Sequence, residues 1–432
     1  MKNKFLQTII MAAMVAAPVW GKVVTADQFP GADAGAKITA AIAAAGDYGV
    51  VDARGLSGSQ SSADDLVINR RITLLLPMGS LAFAAGKGIR IRASGVSLVG
   101  DNPLMSTLVS NGTGGDFISN PDAPTQTYSF TRIEGVSLQA GTAKSSGAAL
   151  NATNLDQGLV HNVRIMGNWY DVFVHLESRG GVWSYDNIHV PGGVTIHRIW
   201  FMQATEGTVS GLGVSNALVA NTVTYTRAAA EFDTGVDGVE FTNSQGPGPI
   251  IIGNTLHGAM PQYLKFIGTF TEGKLGTYDT VVINDGKDIT FDGAYFASAQ
   301  NAFVITGGQD IKITNCHMVS MKHSALALSG GTRVLFDGNT ITDTSQAGNR
   351  VYDAISVASG VSDWFVKNNT FRRTAYPNIP RRQISVAPGA SDHYQISGNE
   401  FGVAGRDFGT AGDAPVSDQG TGRVAVRDYK LY

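Results

Sequence analysis

Five segments of the C-terminal half share one eight-residue pattern of apolar and polar positions. They are Ile289–Phe296, Ile311–Met318, Val334–Ile341, Trp364–Phe371 and Tyr394–Phe401, with starts 22, 23, 30 and 30 residues apart. Apolar side chains recur at the first, third and eighth places, and Asn fills the sixth in three segments (Asn339, Asn369, Asn399). Alternation of period two predicts short strands. A unit of such strands cannot bury its apolar face alone and must stack on copies of itself. Asn at a recurrent turn place suits a ladder, because its amide satisfies turn backbone and the residue tolerates left-handed dihedrals. The pattern predicts an all-β solenoid.

Upstream, Pro249–Leu256 falls in the same frame, which puts Asn254 in the sixth place and in one column with the other three Asn. Weaker matches are Thr131–Leu138, Gly158–Ile165, Trp183–Val190 and Gly207–Val214. A second set of short alternating runs interleaves with these: Val172–Leu176, Ile199–Phe201, Val239–Phe241, Val281–Ile283, Phe303–Ile305, Leu326–Leu328, Ile355–Val357 and Ile384–Val386. Each rung therefore has at least two strands and a turn. Near the N-terminus Asp33–Gly46 reads as a short helix, with Asp33 placed to cap it and Gly46 to end it. Extended segments follow at Gly49–Leu56, Ile72–Pro77 and Gly95–Asn102. A helix there would cover the open end of the stack, where strand edges and core would otherwise meet water.

These segments together resemble the right-handed parallel β-helix proteins of the pectate-lyase-like superfamily, which includes secreted carbohydrate-active enzymes and phage tailspikes. The resemblance implies a right-handed single-stranded parallel β-helix with an N-terminal capping helix, acting on a polysaccharide as a monomer or homotrimer. The chain departs from the named enzyme families. It has no Asn-Thr-Asp, Gly-His-Gly or Arg-Ile-Lys segment of the polygalacturonase type in the coils, and its one Asp pair, Asp64-Asp65, precedes the repeats. The Asp-Pro-His-Asp run of alginate epimerases is missing too. The resemblance thus carries fold and general class, not a reaction.

One domain is expected despite 432 residues, since a solenoid grows without dividing. Its parts are a signal peptide over 1–21, a cap and first coils over 22–110, the coils proper over 111–405, and a C-terminal cap or tail over 406–432. Residues 1–21 carry Lys2, Lys4 and an apolar stretch from Phe5 to Ala17, which predicts export and a secreted or periplasmic location. Losing those two lysines takes the net charge from −3 to −5. A chain without a basic field is a poor partner for nucleic acid or an anionic membrane. Cys316, the only cysteine, permits no intramolecular disulfide and reads as buried filler at a sixth place. No cofactor is expected, apart from Ca should the reaction be elimination.

Alternation assigns faces. With Val172, Val174 and Leu176 inward, Asp171, Phe173, His175 and Glu177 point out. With Ile199 and Phe201 inward, Arg198, Trp200 and Met202 point out; with Val239 and Phe241 inward, Glu240 points out, followed by Val282 and Asn284. Long connections at Ser215–Val236 and His257–Tyr278 are expected to wall this face. Trp200 offers a stacking surface for a sugar, with Asp171, His257, Tyr263 and Asn284 as further binding candidates. Glu177 and Glu240, two rungs apart, should have backbones roughly 9–10 Å apart, near the spacing of an inverting carboxyl pair. Glu231 and Asp233 are rival carboxylates.

Hydrolysis by paired carboxyls is the favoured expectation. A lyase or epimerase acting on a uronate polymer would instead draw on His175, Arg198 or Lys265 as base and cation. A non-catalytic glycan-binding or adhesive solenoid is the third possibility. His161, His189 and His317 fall on other faces.

Overall fold

The computed structural model describes residues 21–123, 125–176, 182–204, 209–253, 259–273, 276–374, 376–389, 392–423 and 430–431. From Val281 onward each rung has three strands, here called front, middle and last; upstream, Leu155–Met166 and Trp183–Val190 each run through the middle and last places as one strand. In one rung these are Val281–Ile283, Lys287–Asp292 and Tyr295–Ala297; in the next, Phe303–Ile305, Gln309–Thr314 and His317–Val319. Like strands pair in parallel from rung to rung. The front strands form a sheet of their own, while middle and last strands share the larger sheet. The result is a parallel β-helix.

The eight-residue register holds through the C-terminal half. Ile289, Ile311, Val334 and Trp364 are ladder partners in turn, as are Phe291, Ile313, Phe336, Val366 and Ile396. Ring stacking continues the inner columns, with Phe266 on Phe291 at 4.5 Å and Trp364 on Tyr394 at 4.5 Å. At the sixth place, the Asn369 amide oxygen accepts from the Asn339 N–H (2.9 Å) and its Nδ2 (3.0 Å). Asn399 does the same for Asn369. Each Nδ2 also donates to the main-chain carbonyl at the third place of the preceding rung, Asn369 to Phe336 O at 3.0 Å. Cys316 begins this ladder, its N–H bonded to the Asn339 side chain.

Left-handed backbone belongs to the fifth place, not to the buried sixth. Gly135, Asn162, Asn187, Asn216, Asn243, Gly268, Gly293, Asn315, Gly338, Asn368 and Gly398 occupy it, all with φ between 46° and 67°. A chain turning sharply from middle to last strand needs a positive φ there, and only Gly or Asn adopts it cheaply.

The upstream frame needs correction. Thr131, Gly158 and Trp183 do sit in the first-place column, but the next members are Leu212, Val239 and Leu264. Val239–Phe241 is therefore middle strand, and Gly207–Val214 is out of frame. The front strands between Thr195–Gln203 and Val281–Ile283 are Thr224–Phe232 and Ile250–Ile252. Pro249–Leu256 thus begins on a front strand and not on a middle one, and Asn254 lies outside the described residues. Two departures from alternation hid this: Ala228, Ala229 and Ala230 give no period, and neither do three consecutive Ile.

The helix spans Ala34–Ala45, capped by the Asp33 side chain accepting from Ala36 N–H and ended at Gly46 (φ 71°). Its buried stripe of Ala34, Ile38, Ala41, Ile42 and Ala45 packs on the first coil. At the other end, Val416–Asp418 pairs with Ile384–Val386, so the described residues past 405 add a further coil. The segment 1–20 lies outside the described residues.

Candidate functional site

In the front strands Asp171–Leu176 and Thr195–Gln203 the expected faces hold at Asp171, Val172, Arg198 and Ile199 and slip by one residue beyond them. Phe173 and His175 point into the core, 0% and 1% exposed, and their ladder partners Trp200 and Met202 do likewise. Val174, Phe201 and Glu231 form the outward column. The error came from large rings filling inward positions while Val, small and β-branched, stands outside. Alternation also breaks locally, because Val172 and Phe173 are both buried, as are their neighbours Ile199 and Trp200. Trp200 is therefore core and offers no stacking surface. His175 is packed against Trp183, with its Nε2 2.6 Å from the Tyr185 hydroxyl. Burial lowers its pKa to about 3, which removes it from the candidate bases.

Glu240 is exposed on the middle strand Val236–Thr242, with Lys265 as its ladder partner, so neither shares a face with Arg198. Tyr263 is half-exposed at a left-handed bend of the same sheet. Asn284 follows the front sheet, and its amide oxygen accepts from the Thr306 hydroxyl (3.0 Å). Glu177 and His257 lie outside the described residues. The expected loop walls contain strands of the coil: Ser215–Val236 contains Leu218–Val219 and Thr224–Phe232, and His257–Tyr278 contains Gln262–Ile267 and Phe270–Glu272.

What the fold brings together is a chain of charges on the outward face of three successive front strands. Asp171 and Arg198 are ladder partners, and the guanidinium grips both carboxylate oxygens (Nε and Nη2, 2.9 Å each). Arg198 also reaches Glu231 at 3.3 Å and has its guanidinium carbon over the Phe201 ring, 3.6 Å from its centre. Arg227 binds the same Glu231 through Nε (3.2 Å) and Nη2 (3.0 Å). Two residues beyond Glu231, on the same face, Asp233 accepts from Gln203 Nε2 (3.4 Å) and the Thr234 N–H (2.9 Å). Burial alone would lower the Arg198 pKa; hydrogen bonds and charge from Asp171 and Glu231 override it and raise it.

Outward positions of a solenoid are ordinarily wet, yet Asp171, Glu231 and Asp233 are only 6%, 3% and 3% exposed. Carboxylates withdrawn from water need partners, and here the guanidiniums supply them. Toward the C-terminus the same column runs Ile251, Val282, Val304, Ala327, Ser356 and Ser385, with no titratable group; toward the N-terminus it runs Asn151, Ser119 and Arg90. At the cluster's edge, His197 stacks on Tyr170 (4.3 Å) and its Nδ1 lies 2.8 Å from the Thr226 hydroxyl. Burial first, then the Arg198 charge, lower its pKa, so its imidazole is neutral near pH 7. Arg227 and His197 were not legible as site residues, although the four-residue spacing of Arg227 and Glu231 was a signal. Among the described residues no cluster of three or more His, Cys, Asp or Glu is arranged to hold a metal ion.

Residues 237–405 match the family described as a right-handed β-helix region. No curated protein matches the chain in sequence. Among solved structures, the A-module of Azotobacter vinelandii mannuronan C-5 epimerase AlgE4 is similar at a TM-score of 0.56 and 12% identity, over 93% of this chain and 100% of that one. The AlgE6 A-module of the same organism gives 0.51 and 10%, over 94% and 97%. At such identities the likeness is one of fold. The chain is a right-handed parallel β-helix protein.

Proposed function

We propose that this protein is an exported enzyme that hydrolyses glycosidic bonds of a polysaccharide along the outward face of the front sheet, with Glu231 and Asp233 as the reacting carboxyls. The observation that carries this reading is the burial of Asp171, Glu231 and Asp233 within three successive rungs of that face, with Arg198 and Arg227 beside them. Two residues along an extended strand are separated by roughly 6.6 Å, close to the spacing of a carboxyl pair that admits a water beside the sugar. One carboxyl gives its proton to the leaving oxygen while the other takes a proton from the attacking water. Arg198 and Arg227 hold Glu231 in place, and Asp171 in turn fixes Arg198.

A second reading is favoured by His197 and Arg227. A neutral imidazole beside a half-buried guanidinium suits removal of the proton next to a uronate carboxylate, as elimination or epimerisation requires. The mannuronan epimerase modules share the fold, which is compatible with that reading. Incubating the mature protein with neutral and uronate polysaccharides separates the two. Hydrolysis gives new reducing ends without ultraviolet absorbance. Elimination gives absorbing unsaturated ends, and epimerisation changes the sugar composition without cleavage. Reducing ends with no absorbance are expected, and no change in any polymer would overturn both readings.

A further inference from the structure

The larger sheet carries a second outward feature that hydrolysis at the front sheet does not use. Ser137, Arg164, His189 and Leu218 are ladder partners on four successive rungs. At the first of these the Ser137 hydroxyl donates to Pro103 O (2.5 Å) and ties down the turn 102–105. Asn102 braces that turn by accepting from the Leu104 and Met105 N–H groups (2.8 and 3.1 Å). The turn thus covers the column at Ser137 and leaves it open from Arg164 onward. The opening is a groove of about 660 Å³ lined by Leu104, Asn162, Arg164, Asn187, His189 and Leu218.

Arg164 is the unusual member. Its Nε is buried with no hydrogen-bond partner, and no ion pair of its guanidinium is found among the described residues. Arg198, Arg227, Arg333 and Arg381 are all matched to carboxylates. A buried charged donor without an acceptor is costly, and an anion beside Arg164 Nε would offset that cost. The walls complete it. Leu104 and Leu218 are 77% and 48% exposed, an unusual display of apolar surface on either side of a cation. Along the floor the Asn187 amide donates to the Asn162 side chain at 3.2 Å, adding polar groups of the kind that fix hydroxyls. Burial and the neighbouring Arg164 charge both lower the His189 pKa, so Arg164 supplies the positive charge here at neutral pH.

We propose that this groove binds an acidic sugar unit of a polysaccharide, its anionic group on Arg164 and its ring between Leu104 and Leu218. It lies on a different sheet from the carboxylate cluster and would anchor a polymer rather than act on it. Calorimetric titration of the mature chain with an oligouronate, a sulfated oligosaccharide and a neutral oligosaccharide of equal length tests this. At least one acidic oligomer should bind and the neutral one should not; the two acidic arms distinguish carboxylate from sulfate. Arg164→Gln should weaken binding roughly tenfold or more, the usual worth of a charge-assisted hydrogen bond. Leu218→Glu, at an exposed wall position, should weaken it by repulsion with an unchanged melting temperature. Equal binding of the neutral oligomer, no binding of either acidic one, or full affinity in Arg164→Gln would overturn the proposal.

Discussion

Single residues decide the geometry of each rung, and the fifth-place turn residue does so most directly. Gly293 has φ 60°, and a Cβ there would meet nothing within 4 Å. Space is therefore free and only the dihedral is constrained. Gly293→Asn should be nearly neutral, whereas Gly293→Val should cost about 1–2 kcal/mol, because a β-branched residue resists left-handed backbone. Urea denaturation of the two variants checks this, and equal stabilities would contradict it. His175 gives a second residue-scale prediction. Its folded pKa of about 3 lies below the ordinary imidazole value, so between those limits the unfolded chain binds more protons. Its contribution to stability is complete above about pH 6.5 and declines as pH falls, by about 1.4 kcal/mol per unit from this group. His175→Gln should show a shallower loss across that window; parallel pH curves would show that burial of this imidazole does not drive the acid response.

Strands and turns were legible where the side chains obey a strict period. From Val281 onward the front strands have a β-branched or aliphatic residue at nearly every inward place, and the faces follow from alternation. Between Asp171 and Ile252 the large rings of Phe173, Trp200 and Phe232 fill the core, and Ala or Val stands where a periodic reading expects the reverse. The turn signal was also split. Asn at the sixth place was visible, but its role is to serve buried amides, while the neighbouring fifth place carries the backbone requirement. Asn369→Leu should strip partners from Asn339, Phe336 and Asn399, at about 1–3 kcal/mol for each group left buried and unsatisfied. Cys316 occupies the same column, its thiol 3.7 Å from Phe291 O, the carbonyl an Asn amide would reach. Cys316→Asn should therefore extend the ladder by one rung and raise stability on the order of 1 kcal/mol. A lower denaturation midpoint for that variant would mean the ladder depends on more than amide pairing.

At the scale of the whole molecule, the solenoid was readable because its repeat cannot be satisfied except by stacking. The site was less readable, because it depends on which rungs are neighbours. Shifting Val239–Phe241 into the front sheet brought Glu240 beside Arg198 on paper; in the folded chain Glu231 holds that place. Arg198 and Asp171 were correctly placed on one outward face, and Glu231 and Asp233 were visible only as rivals in a supposed loop. The coil then explains why charges so close in space are 27 and 33 residues from Arg198 in opposite directions along the chain. Stacking neighbours are a rung apart, and every outward column is assembled from distant sequence.

The central claim is that the buried outward carboxylates react with a polysaccharide. It is tested most directly by the turnover of Asp233→Asn, measured as reducing ends released from the polymer that the unaltered protein degrades, alongside the melting temperature of both. The account predicts that turnover falls by roughly a hundredfold or more, as expected when a proton-transferring group is lost, while the melting temperature stays within a few degrees. Turnover retained at the level of the unaltered protein would contradict it.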